Sequence, residues 1–162
     1  LKLESTMARR YQPAKRVAEP DPKYGDRQVQ SFINRLMKGG KKSTARRVVY
    51  GAIDIVEERT GKPGLEVFKA AMKEVAPVME VRPRRVGGAT YQVPLEVDAH
   101  RQFALVTRWI IGAARERSGK SFAEKLAEEL IDGSNKQGAA YRKREEAHRM
   151  AEANRAFSHY RV

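Results

Sequence analysis

Residues 79–97, MEVRPRRVGGATYQVPLEV, decide how this chain is read. They mix strand-forming residues with three arginines, two prolines and a double glycine, which is not the make-up of a buried strand. Gly87-Gly88 signals a turn, because glycine reaches the positive φ angles of tight hairpins without steric cost. After it the residues alternate, with Ala89, Tyr91, Val93, Leu95 and Val97 on one face and Thr90, Gln92, Pro94 and Glu96 on the other. Two registers are open. A two-residue loop at Gly87-Gly88 sets Arg84 beside Tyr91 and Arg82 beside Val93. A three-residue loop over 87–89 pairs Arg85 with Tyr91, Pro83 with Val93, Val81 with Leu95 and Met79 with Val97. That second register is the one expected; it gathers Arg82 and Arg84 with Thr90 and Gln92 on a polar face. Pro83 and Pro94 cannot donate to a ladder, so both strands are read as edge strands, and no third strand pattern occurs in the chain. The expectation is a free two-stranded ribbon, marginal alone in water and so leaning on something anionic. A surface hairpin with solvated arginines is the plainer alternative.

Outside the hairpin the pattern is helical. The 162 residues suffice for one domain with a real core. Asp26 can cap a first helix in which Val29, Phe32, Ile33, Leu36 and Met37 recur at helical spacing, ended by Gly39-Gly40. Ser43 opens a second, with Ala45, Val48, Val49, Ala52, Ile53 and Val56 as its stripe. Pro63 starts a third through Leu65, Phe68, Met72 and Val75, stopped by Pro77. Asp98 begins a fourth running to about Arg117, apolar on most sides (Phe103, Leu105, Val106, Trp109, Ile110) and therefore expected to be central. Ser121 with Glu124 forms a capping box for a fifth, with Phe122, Leu126 and Leu130. A charged sixth covers roughly residues 139–158. The fold class is thus mainly all-α: a six-helix bundle with a protruding two-stranded hairpin between helices 3 and 4. The division expected is residues 1–6 as a vector-derived scar or extended start, 7–24 as an irregular basic arm holding three prolines, and 25–162 as a single helical domain with its hairpin at 78–97.

Charge narrows the function. Lysine and arginine number 33 against 20 acids, a formal net charge of +13, which points to a polyanion as partner. Cysteine is absent, so disulfide and thiol chemistry are excluded. No apolar run approaches the ~20 residues of a membrane span, and no signal peptide is visible, which makes the cytoplasm the default. Residues 27–47 hold seven basic residues and no acid. Lys41, Lys42, Arg46 and Arg47 crowd the start of the second helix, whose dipole already makes that end positive. Cations placed there suit an arriving phosphate; a solvated basic face is the alternative. Arg101, Arg108 and Arg115 recur every seven residues on one face of the fourth helix, with Ala104 and Gly112 beside them. A mid-helix glycine costs about 1 kcal/mol against alanine, so Gly112 marks a close approach, by a neighbouring helix or a nucleic-acid backbone. The tail NRAFSHYRV alternates aromatics with Arg155 and Arg161, suited to base stacking, a protein contact or docking on its own domain.

Catalytic readings fail on spacing. SGKS at 118–121 ends like a phosphate loop, but Ala114 stands where GxxxxGK[ST] needs glycine, and in GGKKS Lys42 takes the Ser/Thr position. His100, His148 and His159 are scattered without metal spacing or a paired nucleophile, and are read as surface residues. No catalytic residue, metal site or cofactor is expected. A helix, glycine turn and basic helix could be a DNA-reading helix-turn-helix; cations spread over an arm, a loop, a hairpin and a helix better suit folded RNA.

Three long stretches carry a resemblance: FINRLMKGGKKSTARRVVY at 32–50, RRVGGATYQVPLEV at 84–97 and RMAEANRAFSHYR at 149–161. They resemble the bacterial small-subunit ribosomal protein S-seven family, in order, from Met7 to the end of the chain. The resemblance implies a non-enzymatic structural constituent of the small subunit, at work in translation in the cytoplasm. It implies a primary binder of the rRNA 3′ major domain that nucleates head assembly, with the hairpin near the exit-site tRNA and mRNA. Ribosomal proteins S-nine and S-eleven would be neighbours, and no membrane is involved. By the same match rRNA contacts fall on Arg9 and Arg10 of the arm, on Lys38, Lys41, Lys42 and Arg46 of the first interhelix loop, and on Arg82, Arg84 and Arg85 of the hairpin, with Gly87 and Gly88 as its turn. Arg108 and Arg115 are added from the arginine stripe, not from the match. Pro83 and Thr90 depart from the small polar residue and the asparagine usual at those positions.

Overall fold

The computed structural model describes residues 17–119 and 121–160. Six α-helices form the body: α1 (Arg27–Leu36), α2 (Lys42–Thr60), α3 (Gly64–Glu74), α4 (Ala99–Glu116), α5 (Phe122–Ser134) and α6 (Gly138–Ala153). Strands β1 (Met79–Val86) and β2 (Ala89–Glu96) make an antiparallel hairpin between α3 and α4, and a 3₁₀ helix (Arg155–Tyr160) follows α6. Among the described residues no helix is long and apolar enough to cross a membrane.

Caps and stripes act as their chemistry demands. Asp26 Oδ1 accepts from the Gln28 and Val29 amides at 2.7 and 3.2 Å, Asp98 accepts from the Arg101 amide, and Ser121 Oγ from the Glu124 amide at 3.2 Å. Phe32 of α1 meets Phe68 of α3 edge to face at 5.4 Å, and Val29, Ile33, Ala52, Ile53 and Val56 join them without exposed surface. Each large side chain buried this fully contributes about 1.5–3 kcal/mol. Helix α1 stops at Leu36, ahead of the glycines, and α2 begins at Lys42 with Lys41 as its N-cap residue, one position before the expected Ser43. The sixth helix breaks at Asn154, whose Nδ2 donates to Met150 O at 2.8 Å and so diverts the backbone into the 3₁₀ turn.

Helix α4 was expected to be central; α5 is the more extensively packed, lying against α2, α3, α4 and α6. Small residues allow it. A Cβ on Gly133 would stand 3.3 Å from Val75 Cγ2, and Ala127 is fully buried. Helix α5 also carries Glu129, a carboxylate with no exposed surface. Its Oε2 accepts from Arg117 Nε at 2.7 Å, just beyond α4, and its Oε1 accepts from the Ala140 amide at 2.8 Å, in the first turn of α6. Arg117 also pairs with Asp132 and, at 3.5 Å, with Glu128. One buried anion therefore joins three helices, with both oxygens satisfied as burial requires.

The hairpin register corrects the expected one. Val86 pairs with Ala89, Arg84 with Tyr91, Arg82 with Val93 and Glu80 with Leu95, so the loop is the two-residue Gly87-Gly88. Both glycines have positive φ, 57° and 90°, as the type I′ turn requires, and that turn matches the right-handed strand twist better than a longer loop. Arg82 and Arg84 consequently share a face with Tyr91, Val93 and Glu80, and not with Thr90 and Gln92. Nor is the ribbon free along its whole length. Val93 is fully buried and Pro94 and Val97 are buried, while residues 82–90 are all exposed. Three contacts hold the ribbon, two at its base and a third further out. Glu80 meets Arg101 of α4; the Val78 amide donates to His148 Nε2 of α6 at 2.9 Å; and Tyr91 stacks on Tyr160 at 4.9 Å and touches Phe157 at 5.4 Å. The tail aromatics Phe157 and Tyr160 thus dock on their own hairpin. His100 and His159 are exposed as expected, whereas His148 is half-buried and holds a strand.

Glu129→Ala should cost about 3–5 kcal/mol in denaturant unfolding, because it strands the Ala140 amide and one side of Arg117. A second prediction concerns pH. Burial, then the charge of Arg144, pushes the His148 imidazole below its ordinary value, and as an acceptor at Nε2 it must be neutral there. The folded chain binds that proton less readily than the unfolded one. The stabilisation is therefore complete above about pH 6.5 and is lost as pH falls through that value and the lower folded one. Wild type should lose more stability than His148→Gln between about pH 7.5 and about pH 5, measured by thermal melts of both.

Candidate nucleic-acid interface

The fold sorts the expected cations into groups. Lys38 and Lys41 of the α1–α2 loop line one cleft with Arg115 of α4, together with Leu36, Thr44 and Phe122. Arg115 also lines the adjoining groove with Arg35, Arg108, Thr107, Ile111 and Gly112. Loop, α1 and α4 therefore present a continuous basic trough. Its floor is Gly112, where an added Cβ would meet nothing within 4 Å. The close approach expected at this glycine is not made by a neighbouring helix; the space is open to a ligand.

Local structure explains why the trough is vacant of counter-charge. Lys41 occupies the N-cap of α2 without a side-chain acceptor for the first-turn amides, and α2 has no acid in that turn. Positive side chains and the positive helix end thus add rather than cancel. Among the described residues no ion pair holds Lys38, Lys41, Lys42, Arg108 or Arg115. Arg35 is the member that sequence reasoning did not single out. Its guanidinium lies 5.5 Å from the Phe103 ring centre, and only its place in the acid-free run of 27–47 hinted at it.

Other expected residues lie elsewhere. Arg46 faces a separate cleft with Arg47, Lys23, Ser43, Tyr50 and Asp54, and its buried Nε has no hydrogen-bond partner. That side also receives the end of the arm: Asp21, 1 % exposed, accepts from the Lys23 and Tyr24 amides and from Tyr50 Oη at 2.8 Å. Residues 21–24 thus form a turn docked on α2. Arg9 and Arg10, like residues 1–16 as a whole, Lys120 and Arg161, lie outside the described residues.

The arginines of stripe and hairpin divide by role. Arg101 is taken by Glu80, through Nε at 3.2 Å and Nη2 at 3.1 Å, and Arg82 by the same carboxylate through Nε at 2.6 Å. Burial works to raise the Glu80 pKa, but the hydrogen bonds from Arg101 and Arg82 outweigh it and hold the carboxyl below its usual range. Arg84 and Arg85 are exposed, on opposite faces of the ribbon beside Tyr91 and Thr90. Glu80 and His148 both escaped sequence reasoning, since a lone acid on a basic strand and a lone histidine on a charged helix carry no spacing signal.

A helical body with a large excess of positive charge, whose loop, helix face and arm tip carry cations outside every described ion pair, defines a polyanion-binding protein. Comparison makes this specific. The family described as ribosomal protein S7p/S5e matches residues 8–155. The chain is 57% identical over 155 residues to the small ribosomal subunit protein uS7 of Thermomicrobium roseum, covering 96% of this chain and 99% of that one. It is 58% identical to that of Methylobacterium radiotolerans with the same coverage, and 56% identical over 153 residues to that of Fervidobacterium nodosum, covering 94% and 99%. The chain belongs to the ribosomal protein S7p/S5e family.

Lys41→Asp separates fold from binding. An acid at this N-cap should raise stability by about 0.5–1 kcal/mol, while affinity for folded RNA falls. Thermal unfolding and filter binding of the same preparation should move in opposite directions.

Proposed function

We propose that this chain, a ribosomal-protein family member and so a structural part of the small subunit at work in translation, binds small-subunit rRNA through the trough and the hairpin tip. The observation that carries the reading is the gathering of Lys38, Lys41, Arg35, Arg108 and Arg115, none held by an acid among the described residues, along two clefts that share Arg115, the second open at Gly112. Phosphates of a folded RNA would replace the missing counter-charges, releasing their own counterions on binding. Lys42, Arg46, Arg84 and Arg85 extend the contact to the α2 start and the arm tip, while Arg82 reaches RNA only alongside its bond to Glu80. Arg9 and Arg10 would add contacts from the arm.

Within the subunit the reading places the chain on the 3′ major domain as a primary binder that nucleates the head. The exposed tip, residues 82–90, would then reach the exit-site tRNA and mRNA path, with ribosomal proteins S-nine and S-eleven as neighbours. The function is one of binding and scaffolding, with no reaction to catalyse.

The test is a titration against a folded fragment of the rRNA 3′ major domain with duplex DNA as competitor. The fragment should stay bound in excess duplex; equal competition would favour a helix-turn-helix mode instead. Arg84→Glu with Arg85→Glu should weaken RNA binding at unchanged helical content, lowering the log–log salt slope by about 1.4–1.8 for two lost phosphate contacts.

A further inference from the structure

We propose that Glu80 is a positioning residue for RNA binding: an internal anion that holds the arm and the α4 stripe in one fixed relation. The inference rests on the rRNA reading above and adds to it a carboxylate that charge counting would place on the wrong side.

Glu80 is the only acid on β1 and its side chain is 11% exposed. Three N–H groups donate to it: Arg101 from Nε and Nη2, at 3.2 and 3.1 Å to Oε2, and Arg82 from Nε at 2.6 Å to Oε1, with Arg82 Nη2 in ion-pair contact at 2.5 Å. Arg101 stands in the first turn of α4, on the face that carries Arg108 and Arg115 into the trough. Arg82 stands where the ribbon leaves the body, two residues before Arg84 on the same face. The carboxylate thus ties the first arginine of the α4 stripe to the first arginine of the arm. A guanidinium fork gripped along its edge has a set direction, whereas a solvated arginine keeps most of its rotamer freedom. The Glu80 bridge therefore removes, before RNA arrives, entropy that arm and stripe would otherwise lose on binding.

The other two seats of the hairpin cannot do this. The His148 bond holds Val78, just before β1, and the Tyr91 stack involves the flanking 3₁₀ turn. Neither touches a cation of the stripe.

The proposal runs against simple electrostatics, which makes it easy to overturn. Glu80→Gln removes a negative charge beside a polyanion site and frees two arginines, so charge counting expects tighter binding and a steeper salt dependence. Positioning expects the reverse: affinity for the 3′ major domain fragment about tenfold weaker, with a shallower log–log salt slope because fewer phosphates are met at once. Arg101→Lys, which keeps the charge but loses the fork, should reproduce both changes. Amide hydrogen exchange should quicken in the β1–β2 ladder of each variant and not in α2, α3 or α5. Binding as tight as wild type in Glu80→Gln, or weaker binding at an unchanged slope, would overturn the proposal; the second result would mean that Glu80 serves only folding. Should Glu80→Gln fail to fold, Arg101→Lys decides, with wild-type affinity and slope counting against the idea. The rRNA reading fails separately, if Arg84→Glu with Arg85→Glu binds like wild type.

Discussion

The buried carboxylate of Glu129 is the constraint on which the arrangement hangs. With no exposed surface it must be fully bonded, and its two oxygens accept from Arg117 beyond α4 and from the Ala140 amide of α6. Gly138 belongs to the same joint: its φ is +87° and a Cβ there would stand 3.0 Å from Glu129 Oε1, so a side chain would push α6 away. Once α4 and α6 are fixed against α5, each grips one side of the hairpin base, α4 through Arg101 and α6 through His148. The arm's direction is thereby inherited from an ion pair on the far side of the body.

Acids and cations divide the labour. Asp26 with Lys69, Asp54 with Lys23, Glu80 with Arg82 and Arg101, and Glu128, Glu129 and Asp132 with Arg117 all join separate elements or hold their ends. The exposed members of this set add little stability one by one; Glu80 and Glu129 matter more because their carboxylates are shielded from water. The cations of the trough and of Arg84 and Arg85 at the arm tip take part in none of these pairs. A family member whose task is to sit on RNA thus separates the charges that hold it together from those that hold its partner.

Much of this was legible in the residues. Helical spacing located all six helices, and Asp26, Asp98 and Ser121 marked starts that the structure confirms, because a cap is a local bond between neighbours in sequence. The Arg101, Arg108 and Arg115 stripe was legible as a face, since seven residues are close to two helical turns. Its split into one structural and two free arginines was not, for it depends on Glu80, which is twenty-one positions away and reached only through the hairpin. The three-residue loop was the wrong choice for a similar reason. Alternation alone supports either register, and only the pair of positive φ angles in the folded turn separates them.

By itself, then, the sequence determined the helices, the hairpin, the excess of positive charge and the family, all of which follow from short-range spacing or from long matched stretches. Tertiary structure decided which cations are free. Arg101, Arg82 and Arg117 have the same chemistry as Arg84, Arg108 and Arg115; they differ only in whether folding brings a carboxylate within about 3 Å of the guanidinium. For Arg101 and Arg117 that distance is set by packing between separate elements, which no local pattern encodes; only Arg82 has its carboxylate two residues away on its own strand.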